Sequence, residues 1–166
     1  GETLFLQEIW PNAKLLAYAE LLYRTRGHDV GFDPEIDSAN DERRILTVTR
    51  SAHLIQGLVQ ADAAIAPTHY QADSFPSELR QKITVIHDGI DTNLVRPNPD
   101  AILTLPNSRT INTNDEIISF VSRSLEPYRG FHIFMRALPD VLSERPNAQV
   151  VLVGGDGVSY GRAPKD

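Results

Sequence analysis

Four short apolar runs constrain this chain more than any other feature. They are Ala63-Ala64-Ile65-Ala66, Ile83-Thr84-Val85-Ile86, Ile117 to Val121 and Gln149-Val150-Val151-Leu152-Val153. Apolar residues run through each with little alternation, the pattern of strands covered on both faces. Helical patterns lie between them. Ile45, Val48, Ala52, Ile55 and Val59 recur at spacings of three and four, with Leu46, Leu54 and Leu58 widening the stripe. Phe131, Phe134, Met135, Leu138 and Leu142 repeat the pattern later. Strands alternating with helices define an α/β fold with Rossmann-like parallel sheets.

The punctuation agrees. Asn40 or Asp41 suits the N-cap of the first long helix. Thr68 and Gln71 fit a capping box, and Pro76 suits the first turn of a short helix through Arg80. Pro139 should kink the last helix and Pro146 should close it. Residues 2–10 read as a short amphipathic helix, and Gly27 to Asp41 as a loop. Ala13 to Leu22 is open between helix and buried strand. Residues 91–115 hold Pro97, Pro99 and Pro106 among polar residues and read as a linker. The expected division is 1–95, a linker at 96–115, and 116–166.

Composition removes several classes of function. The 166 residues carry a net charge of −6 without a basic stripe, which argues against nucleic acid and anionic membranes as partners. Tyr70, Phe75, Tyr128, Phe131 and Tyr160 are too scattered for a base-stacking platform. There is no cysteine, so disulfides and thiolate metal sites are excluded. No apolar run approaches the roughly 20 residues of a transmembrane helix, and no signal peptide is visible. The expected location is cytoplasmic, with a peripheral place at a membrane left open. The chain starts without Met and ends in Arg162-Ala163-Pro164-Lys165-Asp166, which suggests a piece of a longer polypeptide.

The candidate site lies at Ile118 to Phe131: an apolar strand, a short loop carrying Arg123 and Arg129, and Gly130 opening a helix. A helix start offers unpaired N–H groups and partial positive charge. Two guanidinium groups beside it suit a phosphate or diphosphate, against the plainer reading of two solvated arginines. Glu126, between them, would orient an arginine or touch ligand hydroxyls, or simply lie on the surface. Gly154 and Gly155 follow another strand. They either let a ligand approach the backbone or make a tight turn. Gly155-Asp156-Gly157 lacks the remaining glycine of a dinucleotide fingerprint. His87-Asp88-Gly89-Ile90-Asp91 reads as a turn rather than a metal site. Neither GxSxG nor a Walker loop occurs.

Together these segments resemble the family-4 (group 1) retaining glycosyltransferases. Ala61 to Thr68, Ile83 to Asp91, Val121 to Gly130 and Val150 to Gly155 match four family segments in order. The resemblance implies a GT-B architecture of two Rossmann-like domains. The acceptor, an unknown glycan, lipid or small molecule, would bind the N-terminal domain. The nucleotide-sugar donor would bind the C-terminal one. It also implies retention of configuration and no metal or other cofactor, with basic side chains neutralising the leaving diphosphate. Arg123 matches the family arginine, and Arg129 stands where lysine is commoner. Arg123 and Arg129 are thus the expected catalytic residues, with Gly130, Gly154, Gly155 and Glu126 binding the donor. His87-Asp88 departs from the commoner Pro-Asn. The N-terminal glycine loop is missing, as are the paired glutamates, since no Glu follows Glu144. Two whole domains need about 300 residues, so the chain reads as the middle of such an enzyme, inactive alone. The rival readings are a non-catalytic nucleotide- or phosphate-binding module and a purely structural sheet.

Overall fold

The computed structural model describes residues 3–36, 39–106, 108–157 and 159. Tyr160 and the charged end at 162–166 lie outside them. The chain divides into two compact units, Gly1–Asp91 and Thr92–Asp166.

The first unit contains α1 (Leu6–Ile9), β1 (Leu16–Tyr18), α2 (Asp41–Gln60), β2 (Ala63–Ala66), α3 (His69–Ala72), α4 (Ser77–Arg80) and β3 (Ile83–Val85). Of the stretch left open between helix and strand, Leu16–Tyr18 is strand and the rest is irregular. Its three strands form one parallel sheet in the order β1-β2-β3, with Leu16 opposite Ala63 and Ala64 opposite Ile83. β2 is central, and its Ala64 and Ala66 are buried, small enough for neighbouring elements to close on them. Leu58, Ala19, Ala72, Phe75 and Ile83 complete the core.

Local signals place α2 well. The Asn40 side chain accepts from the Arg43 N–H at 2.9 Å, which satisfies one of the unpaired first-turn donors. Thr68 caps α3 in the same way, accepting from Gln71 N–H at 3.2 Å. The face that α2 buries differs from the expected stripe. Ile45, Val48 and Val59 are exposed, while Ser51, Gly57 and Leu58 are buried and Leu54 and Ile55 half-buried. The helix carries apolar residues on several sides, so its period alone does not select the inward one. Close approach does: a Cβ on Gly57 would lie 2.6 Å from Thr3 Oγ1. The far end of α2 has no basic residue in its last turn. Lys82, just before β3, supplies the charge, its Nζ donating to the carbonyls of Leu58, Val59 and Ala61 at 3.2, 3.0 and 2.7 Å.

The second unit contains β4 (Ile102–Thr104), β5 (Thr110–Asn112), β6 (Ile117–Ser124), a 3₁₀ turn (Pro127–Arg129), α5 (Phe131–Glu144) and β7 (Gln149–Gly155). The segment expected to be linker thus contains an antiparallel hairpin, β4 with β5, around the buried Ile111. Local turn residues hid it: Asn112 N–H donates to the Asp115 carboxylate at 2.7 Å beyond the short β5. β6 and β7 pair in parallel from Ile117 opposite Gln149 to Val121 opposite Val153. Phe120 on β6 packs against Phe131 and Phe134 of α5, with ring centroids 5.4 and 5.0 Å away. α5 continues as one helix through Pro139 to Glu144, short of Pro146.

Candidate functional site

Two features at the carboxyl end of the β6–β7 pair differ from the sequence reading. Arg123 is in the strand rather than the loop after it, and Gly154 and Gly155 belong to β7 rather than to a turn. The cause is an irregularity in register. Val121 faces Val153, but Ser124 faces Gly155, so β6 spends three steps where β7 spends two. The extra residue brings the β6 backbone close to β7. A Cβ on Gly154 would lie 2.6 Å from the Ser122 carbonyl oxygen and 2.9 Å from Leu125 Cδ2. One on Gly155 would lie 3.3 Å from the Arg123 carbonyl. Gly154 is required by the fold's own strands, whatever a ligand asks of it, and Gly155 sits in a tight but less severe contact. Leu125 N–H then donates to Gly155 O at 2.9 Å and closes the bulge.

From there the chain turns sharply. Glu126 precedes the 3₁₀ turn, Arg129 ends it, and Gly130 joins it to α5. Gly130 has φ +77°, a left-handed conformation that disfavours any side chain. The Arg129 N–H donates to Glu126 O at 3.0 Å and the Gly130 N–H to Pro127 O at 2.8 Å. Arg123 is exposed, and the Arg129 side chain is 40% exposed. Arg129 Nε lies 3.7 Å from Glu126 Oε1. All six residues expected at the donor site therefore lie at one end of one strand pair: Arg123, Glu126, Arg129, Gly130, Gly154 and Gly155. Glu126 is the unexpected member. Its side chain is fully enclosed, and its two oxygens accept from Ser159 N–H and Ser159 Oγ, each at 2.8 Å.

The first unit has its own polar edge at the carboxyl end of its sheet, where ligands gather in open α/β folds. The Tyr18 hydroxyl, at the end of β1, donates to both Asp88 oxygens, at 2.9 and 3.1 Å. That hydrogen bond raises the phenol above its ordinary 10.0. Gly89 N–H donates to His87 Nδ1 at 3.0 Å, so a neutral His87 carries its proton on Nε2. Gly89 itself has φ +82°. Among the described residues no three His, Asp or Glu side chains gather as a metal site, and residues 86–91, read from the sequence as a turn, are irregular rather than a regular turn. Nearby, the Tyr70 hydroxyl meets His28 Nδ1 at 2.9 Å with the two rings stacked. Arg24 reaches the carbonyls of Asp73 and Ser74. The sequence reading missed this edge, because its partners are 42 to 70 residues apart.

Both units belong to the class of parallel α/β folds, whose ligands gather at the carboxyl ends of strands. Comparison narrows the class. Residues 1–95 match the family described as "Glycosyl transferase family 4 group", and the chain belongs to that family. A relative, the D-inositol 3-phosphate glycosyltransferase of Segniliparus rotundus, is 27% identical over 103 residues. That match covers 60% of this chain and 21% of the relative, so the chain spans about a fifth of the relative's length. Among the described residues no helix is long and apolar enough to cross a membrane.

Proposed function

We propose that this protein serves the transfer of a sugar from a nucleoside-diphosphate donor to an acceptor, with retention and without a metal. The observation that carries the reading is that Arg123, next to the last residue of β6, and Arg129, the residue before Gly130, both lie between the carboxyl end of β6 and the start of α5. As the glycosidic bond breaks, negative charge grows on the departing diphosphate. Two guanidinium groups and the positive end of the α5 dipole stabilise that charge more in the transition state than in the ground state. The bare backbone of Gly154 and Gly155 lets the nucleotide lie against the strand end. Family membership and the relative's name support the transferase class. The acceptor, a hydroxyl-bearing glycan, lipid or small molecule, belongs in this reading to the first unit.

We further propose that these residues do not turn over a donor by themselves, since they span about a fifth of the relative's length.

Calorimetric titration with UDP, GDP and ADP tests the donor site. The native chain is expected to bind one of them, and Arg123→Ala to weaken that binding by tenfold or more, the scale of a charge-assisted hydrogen bond at roughly 1.5–3 kcal/mol. Equal affinity in the variant would remove Arg123 from the site.

A further inference from the structure

We propose that Glu126 is a positioning residue, whose enclosed carboxylate ties the chain beyond β7 to the turn between β6 and α5 and holds Arg129 in place. The inference rests on the donor-site reading for its purpose, but not for its geometry.

A carboxylate taken out of water is costly unless hydrogen bonds and opposite charge replace its hydration. Glu126 has both. Its Oε2 accepts from the Ser159 N–H and its Oε1 from the Ser159 hydroxyl, with Arg129 Nε 3.7 Å from the same Oε1. The backbone of Glu126 is committed as well, its carbonyl accepting from Arg129 N–H at 3.0 Å. One residue therefore joins the turn, the arginine and the segment 33 positions later. An enclosed side chain leaves no surface for a donor hydroxyl, so its contribution passes through Arg129 and Ser159. A glutamate suits this task because two acceptor oxygens can serve a backbone N–H and a hydroxyl at once while carrying charge for the arginine.

The test pairs amide hydrogen exchange at residue 159 with titration of UDP, GDP and ADP, using the full chain. In Glu126→Ala, exchange at Ser159 should accelerate by about tenfold or more, since a hydrogen bond to a charged acceptor is lost, and diphosphate affinity should fall with it. Glu126→Gln keeps an acceptor and the shape but not the charge that faces Arg129, so most of the Ser159 protection should survive while diphosphate affinity falls part of the way towards that of Glu126→Ala. Ser159→Ala is a conservative change at an exposed residue. It should speed exchange at its own amide by a few-fold, which keeps the test decisive if Glu126→Ala does not fold. Unchanged exchange at residue 159 in the folded variants would overturn the clamp. So would unchanged diphosphate affinity in Glu126→Ala with residue 159 exchanging faster, since the clamp would then hold nothing the site uses. If the native chain binds none of the three diphosphates, the donor-site reading fails, while the exchange measurements still decide the clamp.

Discussion

The two units solve the same structural problem with different means. The first buries nine apolar residues among those described: Ala19, Val30, Leu58, Ala61, Ala64, Ala66, Ala72, Phe75 and Ile83. The second buries three, Ile111, Leu138 and Ala148, and leaves Val121 71% and Ile133 56% exposed. It nevertheless has the more elaborate sheet end: a strand bulge, glycines packed against it and an enclosed glutamate. Where apolar burial is plentiful, the sheet is regular. Where it is scarce, local geometry at the arginine-bearing end is set by close backbone contact and buried hydrogen bonds. Such devices add little net stability, but they specify position, which a site for a diphosphate needs.

The comparison breaks most visibly at Leu58. Its side chain is 2% exposed in the middle of the first core, so Leu58→Ala should cost about 2–5 kcal/mol. Urea denaturation followed by the fluorescence of Trp10, the single tryptophan, reads this unit directly. A loss well under 1 kcal/mol would show that the alanine-rich core is not the unit's main support. Gly154→Ala should cost somewhat less, about 1–3 kcal/mol. The new methyl would meet a carbonyl oxygen, which cannot swing aside as a flexible side chain can. Amide exchange across β6 and β7 should accelerate, and unchanged protection there would mean that the bulge has room to relax.

The smallest effect sharpens the contrast from the first unit's surface. Asp62 accepts from Lys14 Nζ and from Leu15 N–H, both at 2.8 Å. The lysine first, and then the backbone N–H, hold its carboxyl below the ordinary 3.8. A depressed carboxylate contributes stability above its unfolded value and loses it as pH falls through the folded one. The contribution is thus present at neutral pH and disappears on the acid side of 3.8. Lys14 is shifted upward by the same bond, so its share persists through neutral pH and fades only as pH rises above 10.5 through the folded value. Asp62→Asn should flatten the acid limb of a thermal-stability profile slightly, as exposed pairs contribute little. An unaltered limb would assign the acid sensitivity elsewhere.

Much of this was legible in the chain. β-branched and alanine runs located β2, β3, β6 and β7, although the expected cover on both faces is not there: β6 alternates exposed and half-buried positions and the end of β7 is exposed. Asn40 and Thr68 announced their helices, because a cap needs only a side-chain oxygen two or three residues from an unpaired N–H. Gly130 was legible for a similar reason, since the left-handed turn it makes is local.

What only the tertiary structure decided involves partners distant in sequence. The inward face of α2 was set by which side meets the sheet and by the approach of Thr3 to Gly57. The capping of that helix by Lys82 joins groups more than twenty residues apart. The role of Gly154 emerged only once β6 lay beside it with its register shifted. Glu126 makes the point most sharply. Between two arginines it reads equally as an arginine's partner, a contact for ligand hydroxyls or a surface acid, and nothing local chooses among them. Its enclosure depends on Ser159, 33 residues away. Hydrophobic period, caps and turns are short-range physics carried by neighbouring residues. Burial of a charge and close passage of two backbones are properties of the assembled packing, where the solvent a side chain loses is determined by the whole fold.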